Sequence, residues 1–200
     1  MKKIIFSFLT GNSHKFLEAG EALAQFPEIE LLQINEEKTE IKNDDSPDPL
    51  TEIARKAAKI AVKKYKTPVA VEDAGIFFEE YPDFPGLNTK WVMKKIGYDG
   101  ILRLLDGKNR NACFRSVVAY CNPVEYESGG EVRLFEGKIE GAISREVIGN
   151  EIDCMDYDRI FIPCGESKTF SLIMEKKRQM SHRKIAFRKL GEYLHQRGKT

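Results

Sequence analysis

Four short stretches of the chain carry residue types able to do chemistry. Thr10-Gly11-Asn12-Ser13-His14-Lys15 lies between an apolar run and the start of a helical pattern. Gly11 permits a tight turn, and Asn12 or Ser13 can cap the helix. The free N–H groups of the first turn, together with the Lys15 ammonium, then form an anion site for which phosphate is the natural guest. The spacing is neither G-x-x-x-x-G-K-[ST] nor G-x-G-x-x-G, and a capped helix with a solvated lysine is the competing reading. Glu72-Asp73-Ala74-Gly75 closes the apolar strand PVAV. Ligands of α/β proteins gather at that end of a strand, where a carboxylate can hold magnesium or take a proton from water. Adjacent strand residues face opposite ways, so one of the two carboxylates should dominate. The acidic run with Glu40, Asp44, Asp45 and Asp48 could add a hard oxygen ligand or simply be solvated.

The third stretch is Ser181-His182-Arg183, preceded by Lys176, Lys177 and Arg178, at the start of a closing helix. Cations in a first helical turn oppose the macrodipole and ask for an anionic partner; a solvated basic face is the alternative. In the fourth, Tyr157-Asp158 within CMDYDRIF, the ring could stack on a base and the carboxylate accept from its edge, although core packing is the commoner fate of such a tyrosine.

The elements that must position these groups follow from the hydrophobic pattern. Lys3 to Leu9 reads as a strand, and Ser13 opens a helix with Phe16, Leu17, Gly20, Leu23 and Ala24 on one face. Ile29–Ile34 is a second strand. After a polar loop, Asp48-Pro49 starts a helix with the stripe Leu50, Ile53, Ala54, Ala57 and Ala61, ending near Tyr65. Short strands are expected over Pro68–Val71 and Ile76–Tyr81, and helices over Asn88–Gly97 and Asp99–Leu105. Strands over Ala112–Cys121 and Val132–Ile143 flank the hairpin-like ESGGE, Ile160–Pro163 is a further strand, and Ser181–Gln196 forms the last helix. Strands and helices mix without strict alternation, which predicts an α/β or α+β architecture around a mixed sheet.

Composition narrows the function classes. In 200 residues, 42% hydrophobic and 32% charged with a net charge of +1, there is material for one domain with a sizeable core. The charge balance argues against a dedicated nucleic-acid or membrane-surface binder. The start, MKKIIFSFL, stops being apolar too soon for a secretory signal. The four cysteines lack metal or disulfide spacing, and reduced cytoplasmic thiols are the expectation.

Taken in order, TGNSHKFLEA, VEDAGIFFEEYPDFPGLNTKW, FRSVVAYC, FEGKIEGAIS, YDRIFIP, SKTF and EKKRQMSHRKIAFRKL resemble the inosine triphosphate pyrophosphatase, or Ham1-like, family over essentially the whole chain. The resemblance implies a single α/β domain over residues 1–200, elongated and two-lobed around a long mixed sheet, with a nucleotide cleft between the lobes, and a cytoplasmic homodimer. It implies magnesium-dependent hydrolysis of ITP, dITP and XTP to monophosphate and pyrophosphate, with no nucleic-acid or membrane partner. By position, Thr10, Gly11, Asn12, Lys15 and Ala74 would meet the triphosphate. Asp73 and Asp45 would ligate metal, Asp73 also serving as the base for water. Met155, Tyr157, Asp158, Lys177, His182 and Arg183 would form the base pocket. Lys177, His182 or Arg183 could donate to a 6-oxo group, where adenine presents a donor instead. Attack at the α-phosphorus needs positioned water, neutralised oxygens and a held leaving group, which a carboxylate, magnesium and several cations supply.

The chain departs from the family pattern at four places. Asp45 stands where a glutamate is usual, Ala74 where a Ser or Thr is usual, Met155-Asp156 where Phe and a small residue are usual, and Arg159 where Pro is common. These changes shorten a metal ligand, remove a hydroxyl from the phosphate region and add negative charge beside the base. The alternative they imply is a non-catalytic or altered-specificity nucleotide-binding relative.

Overall fold

A computed structural model describes residues 3–39, 41 and 46–199. Its strands are β1 (Ile4–Leu9), β2 (Ile29–Ile34), β3 (Val69–Phe78), β4 (Pro85–Gly86), β5 (Asn111–Cys121), β6 (Arg133–Ile143) and β7 (Phe161–Pro163). The helices are α1 (Ser13–Leu23), α2 (Pro49–Tyr65), α3 (Thr89–Leu104), α4 (Pro123–Glu127), α5 (Met174–Met180) and α6 (His182–Arg197). The seven strands form one open sheet in the order β2-β1-β3-β5-β6-β7, with β4 on β3. β1 runs parallel to β2 and β3, whereas β4 and β7 are antiparallel to their neighbours, so the sheet is mixed and the α/β expectation holds.

The chain divides into two compact units. The first comprises residues up to Asp73, Ser116–Gly137 and the stretch from Arg183 onward; the second comprises Ala74–Arg115 and Lys138–His182. The long strands β3, β5 and β6 each pass from one unit into the other. The first unit packs Phe6, Phe8, Ala19, Leu23, Val118, Phe187 and Leu190 into its core. The second packs Ile76, Phe78, Ile101, Phe114, Tyr157, Phe161 and Phe170.

Local signals explain most element boundaries. Asn12 caps α1 by accepting the Lys15 N–H through its side chain at 3.0 Å. α2 begins with Pro49 in its first turn and ends at Lys66, left-handed, whose N–H bonds the Val62 carbonyl. α3 is two helical pieces meeting at Gly97, which takes φ 61°, as the separate readings around that glycine implied.

Three expectations are corrected. β3 runs unbroken from Val69 to Phe78, so Glu72 and Asp73 lie inside a strand and not at its end. Gly75 permits this: a Cβ there would come 2.4 Å from the Gly86 carbonyl oxygen of the antiparallel β4. On α1 the buried residues are Glu18, Ala19, Ala22 and Leu23, while Leu17 is half exposed, so the inward face is rotated from the expected one. The short helices α4 and α5 were not anticipated. No described helix is long and apolar enough to cross a membrane.

Candidate functional site

β3 sends its two adjacent carboxylates to different surroundings. Glu72 is buried, and its Oε1 accepts the Ser116 hydroxyl at 2.8 Å and Arg183 Nε at 3.1 Å. Lys15 Nζ lies 2.7 Å from its Oε2. Arg183 reaches Glu18 as well, with Nη1 3.0 Å from Oε2. Burial pushes the Glu72 carboxyl up, but the Arg183 and Lys15 charges and the Ser116 hydroxyl outweigh it and hold the group well below the usual carboxylate range. Glu72 is therefore the anion that the basic start of α6 asks for.

Asp73 points the other way, as alternation requires. Its side chain keeps 16% exposure, and the Lys38 ammonium stands as an ion pair against its Oδ2, an oxygen that is itself shut off from solvent. Of the two carboxylates, Asp73 is the one a ligand could reach.

The Thr10–Lys15 turn belongs to the same unit. Thr10 Oγ1 accepts the Asn12 N–H at 3.1 Å, and the Thr10 carbonyl accepts Gln33 Nε2 at 2.9 Å, so β1 and β2 set the turn between them. Gly11 and Asn12 are exposed, and Lys15 keeps 26% of its side chain accessible while touching Glu72. Thr10, Gly11, Asn12, Lys15, Asp73 and Arg183 are thus gathered in the first unit. Asp45 lies outside the described residues, and among those described no three His, Cys, Asp or Glu side chains converge as a metal cluster.

The second unit holds the remaining residues. Lys177 on α5 and Asp158 on the 3₁₀ turn Asp156–Arg159 form a buried pair, Nζ to Oδ2 2.7 Å, each side chain 3% exposed. The Met155 N–H also donates to Asp158 Oδ2, at 3.1 Å. Tyr157 is core, its hydroxyl donating to the Thr89 carbonyl at 3.2 Å, and burial with nearby Asp156 and Tyr98 pushes that phenol well up. His182 is buried and stacks on Phe114 with ring centroids 4.7 Å apart and planes 6° off parallel. Arg159 donates to the Ile152 carbonyl at 2.7 Å, and the Tyr98 hydroxyl to that of Asp156 at 2.9 Å; these bonds fix the loop that presents Met155. Ala74, half-buried, continues β3 on the side of this unit.

Glu18, Ser116, Lys38 and the anchoring role of Glu72 escaped the sequence reading. A signal for Glu18 existed: Lys15, Glu18, Ala19, Ala22 and Leu23 follow helical i, i+3, i+4, i+7, i+8 spacing, which puts two charges on the buried stripe.

The Ham1 family model matches residues 6–193. The chain belongs to the Ham1 family. This Ham1 chain is 40% identical over 188 residues to a curated dITP/XTP pyrophosphatase of Saccharolobus solfataricus, covering 93% of this chain and 91% of the relative. It is also 40% identical to a dITP/XTP pyrophosphatase of Methanopyrus kandleri, covering 93% and 94%. Among solved structures, a HAM1 protein from Coxiella burnetii shares the fold with a TM-score of 0.76 at 23% identity, over 96% of this chain and 99% of that one. The Staphylococcus aureus Ham1 protein does so with a TM-score of 0.71 at 22% identity, over 97% and 100%.

Proposed function

We propose that this Ham1 chain hydrolyses non-standard purine nucleoside triphosphates (dITP, ITP and XTP) between the α- and β-phosphates, releasing pyrophosphate. The observation that carries the reading is the division of labour on β3. Glu72 spends its charge fixing Lys15 and Arg183, and Asp73 beside it, with 16% of its side chain exposed, is held by an ion pair to a loop lysine, Lys38. The name dITP/XTP pyrophosphatase, shared by relatives at 40% identity over nearly their full length, supports the substrate class.

Asp73 suits magnesium by donor chemistry: a hard carboxylate, partly exposed and held by a lysine ammonium, for an ion usually bound by one or two carboxylates plus substrate phosphates. Asp45 would be the further carboxylate. Magnesium, when bound, neutralises charge on the phosphate oxygens and on the departing pyrophosphate. The Thr10–Asn12 turn and the Lys15 ammonium hold the triphosphate, using the N–H groups at the start of α1. Asp73 accepts the proton of the attacking water.

Base selection falls to donors whose positions are already fixed. Asp158 holds Lys177, Phe114 holds the His182 ring, and Glu18 and Glu72 hold Arg183. Donors fixed in this way favour a 6-oxo acceptor and leave an adenine amino group facing like donors. Tyr157, held in the core through its hydroxyl, supports the loop carrying Met155 and Asp158. Assembly as a cytoplasmic homodimer belongs to the same reading, and sedimentation velocity checks the dimer.

The test is pyrophosphate release from dITP, ITP, XTP, GTP and ATP with magnesium. We expect the first three to be preferred, over ATP because the fixed donors meet an amino group there, and over GTP, which shares the 6-oxo group, on the strength of the relatives' name alone. Binding of these nucleotides with no release from any would instead identify a non-catalytic binder.

A further inference from the structure

Three consecutive side chains of the loop after β2 go to three different partners. Glu36 takes the Lys64 ammonium at 2.7 Å and the Tyr65 hydroxyl at 2.8 Å, which ties the loop to the end of α2. Glu37 Oε1 stands 3.0 Å from where a Cβ on Gly11 would lie, over the turn that starts α1. Lys38 pairs with Asp73 Oδ2, its own side chain 26% exposed. The anchored loop thus lays an anion over the Thr10–Asn12 turn and a cation on Asp73. This charge pair has the same order as the phosphate and metal assigned to those two places.

We propose that Lys38 is the resident counter-ion of Asp73, which an entering divalent cation must displace. A largely buried carboxylate left without a cation is costly, so the protein supplies one from its own loop. Lysine suits the task because its ammonium is a point charge on a flexible four-carbon stem and can leave without disturbing the backbone. The contact makes binding of metal alone weak. Once displaced, the ammonium is a cation without its anion, which favours arrival of a polyphosphate together with the metal and couples the two binding events. The proposal rests on Asp73 being a metal ligand.

The experiment measures Mn²⁺ binding to the nucleotide-free full-length protein from the electron paramagnetic resonance signal of the free ion, with each variant's fold checked by its thermal melt. Lys38→Met should bind Mn²⁺ at least about fivefold more tightly than wild type, the scale of a lost ion pair. Lys38→Arg, which keeps the charge, should stay close to wild type. Asp73→Asn should bind more weakly, and adding Lys38→Met to it should give no gain. Equal affinities for Lys38→Met and wild type, with Asp73→Asn weakened, would overturn the counter-ion role and leave Asp73 a ligand. Unchanged affinity in Asp73→Asn would overturn both this proposal and the metal assignment beneath it.

Discussion

The two units hold their buried cations in contrasting ways. In the first, Lys15 and Arg183 share Glu72, Arg183 also meets Glu18, and the cluster ends at Lys15 with 26% of its side chain accessible; Asp73, pointing the other way from β3, pairs separately with Lys38 at 16% and 26% exposure. In the second, Lys177 and Asp158 face each other at 3% exposure each, with the His182 ring flat against Phe114. A cluster with an accessible end can trade one counter-ion for another, a protein group for a phosphate or a metal. A sealed pair cannot do so without leaving a bare charge in the core, so its use is to fix a shape and a set of donors. On the proposed function the first unit carries the chemistry, and base selection draws on Lys177 and His182 of the second unit and Arg183 of the first.

The sharpest way to break the comparison is Asp73→Asn. It removes the accessible carboxylate but keeps its shape, and turnover on dITP should fall by about a thousandfold or more. The unfolding midpoint should stay near that of wild type, because Asp73 lies outside the buried Glu72 cluster and pairs with a part-exposed lysine, Lys38. Near-normal turnover by the folded variant would take the chemistry away from the first unit.

Lys177→Met tests the sealed pair. Removing one partner strands the Asp158 charge and should lower stability by about 3–5 kcal/mol in urea unfolding, while the double variant Lys177→Met with Asp158→Leu should recover most of the loss. A cost below about 1 kcal/mol for the single change would mean that the pair is as exchangeable as those of the first unit.

Lys15→Met should weaken triphosphate binding about tenfold and leave nucleoside binding unchanged, as titration calorimetry can show. Its effect on stability should be smaller than that of Lys177→Met, because Glu72 retains Arg183 and Ser116. Equal losses for nucleoside and triphosphate would place Lys15 away from the phosphates.

The smallest effect concerns acid. The folded Glu72 carboxyl is held well below its unfolded value, so its stabilising contribution is complete above the ordinary glutamate range near about 4.3. As pH falls below that range the unfolded chain takes up a proton that the folded protein refuses, and stability drops by up to about 1.4 kcal/mol per pH unit from this group. Urea midpoints measured between pH 5 and 3 should therefore fall less steeply in Glu72→Gln than in wild type.

Much of the fold was legible because the apolar periods are clean. The α2 stripe through Leu50, Ile53, Ala54, Ala57 and Ala61 is buried as read, and β2 occupies Ile29–Ile34. What escaped depends on long-range pairing. Glu72-Asp73 reads as a polar strand end because a buried carboxylate inside a strand makes sense only once Arg183, 111 positions later, is known to meet it. α5 was hidden by its basic composition, and Lys177 looks solvated until Asp158 is placed beside it. The residue types of the candidate site were visible as motifs. That Glu72 anchors while Asp73 remains reachable came from strand alternation only after the structure showed which face is buried.

The most direct measurement follows oxygen through the reaction. With magnesium, dITP and ¹⁸O-water, phosphorus NMR should find the label in the monophosphate and none in the pyrophosphate, with dITP consumed far faster than dATP. Label in orthophosphate with a nucleoside diphosphate as product, or equal rates on dITP and dATP, would contradict the account.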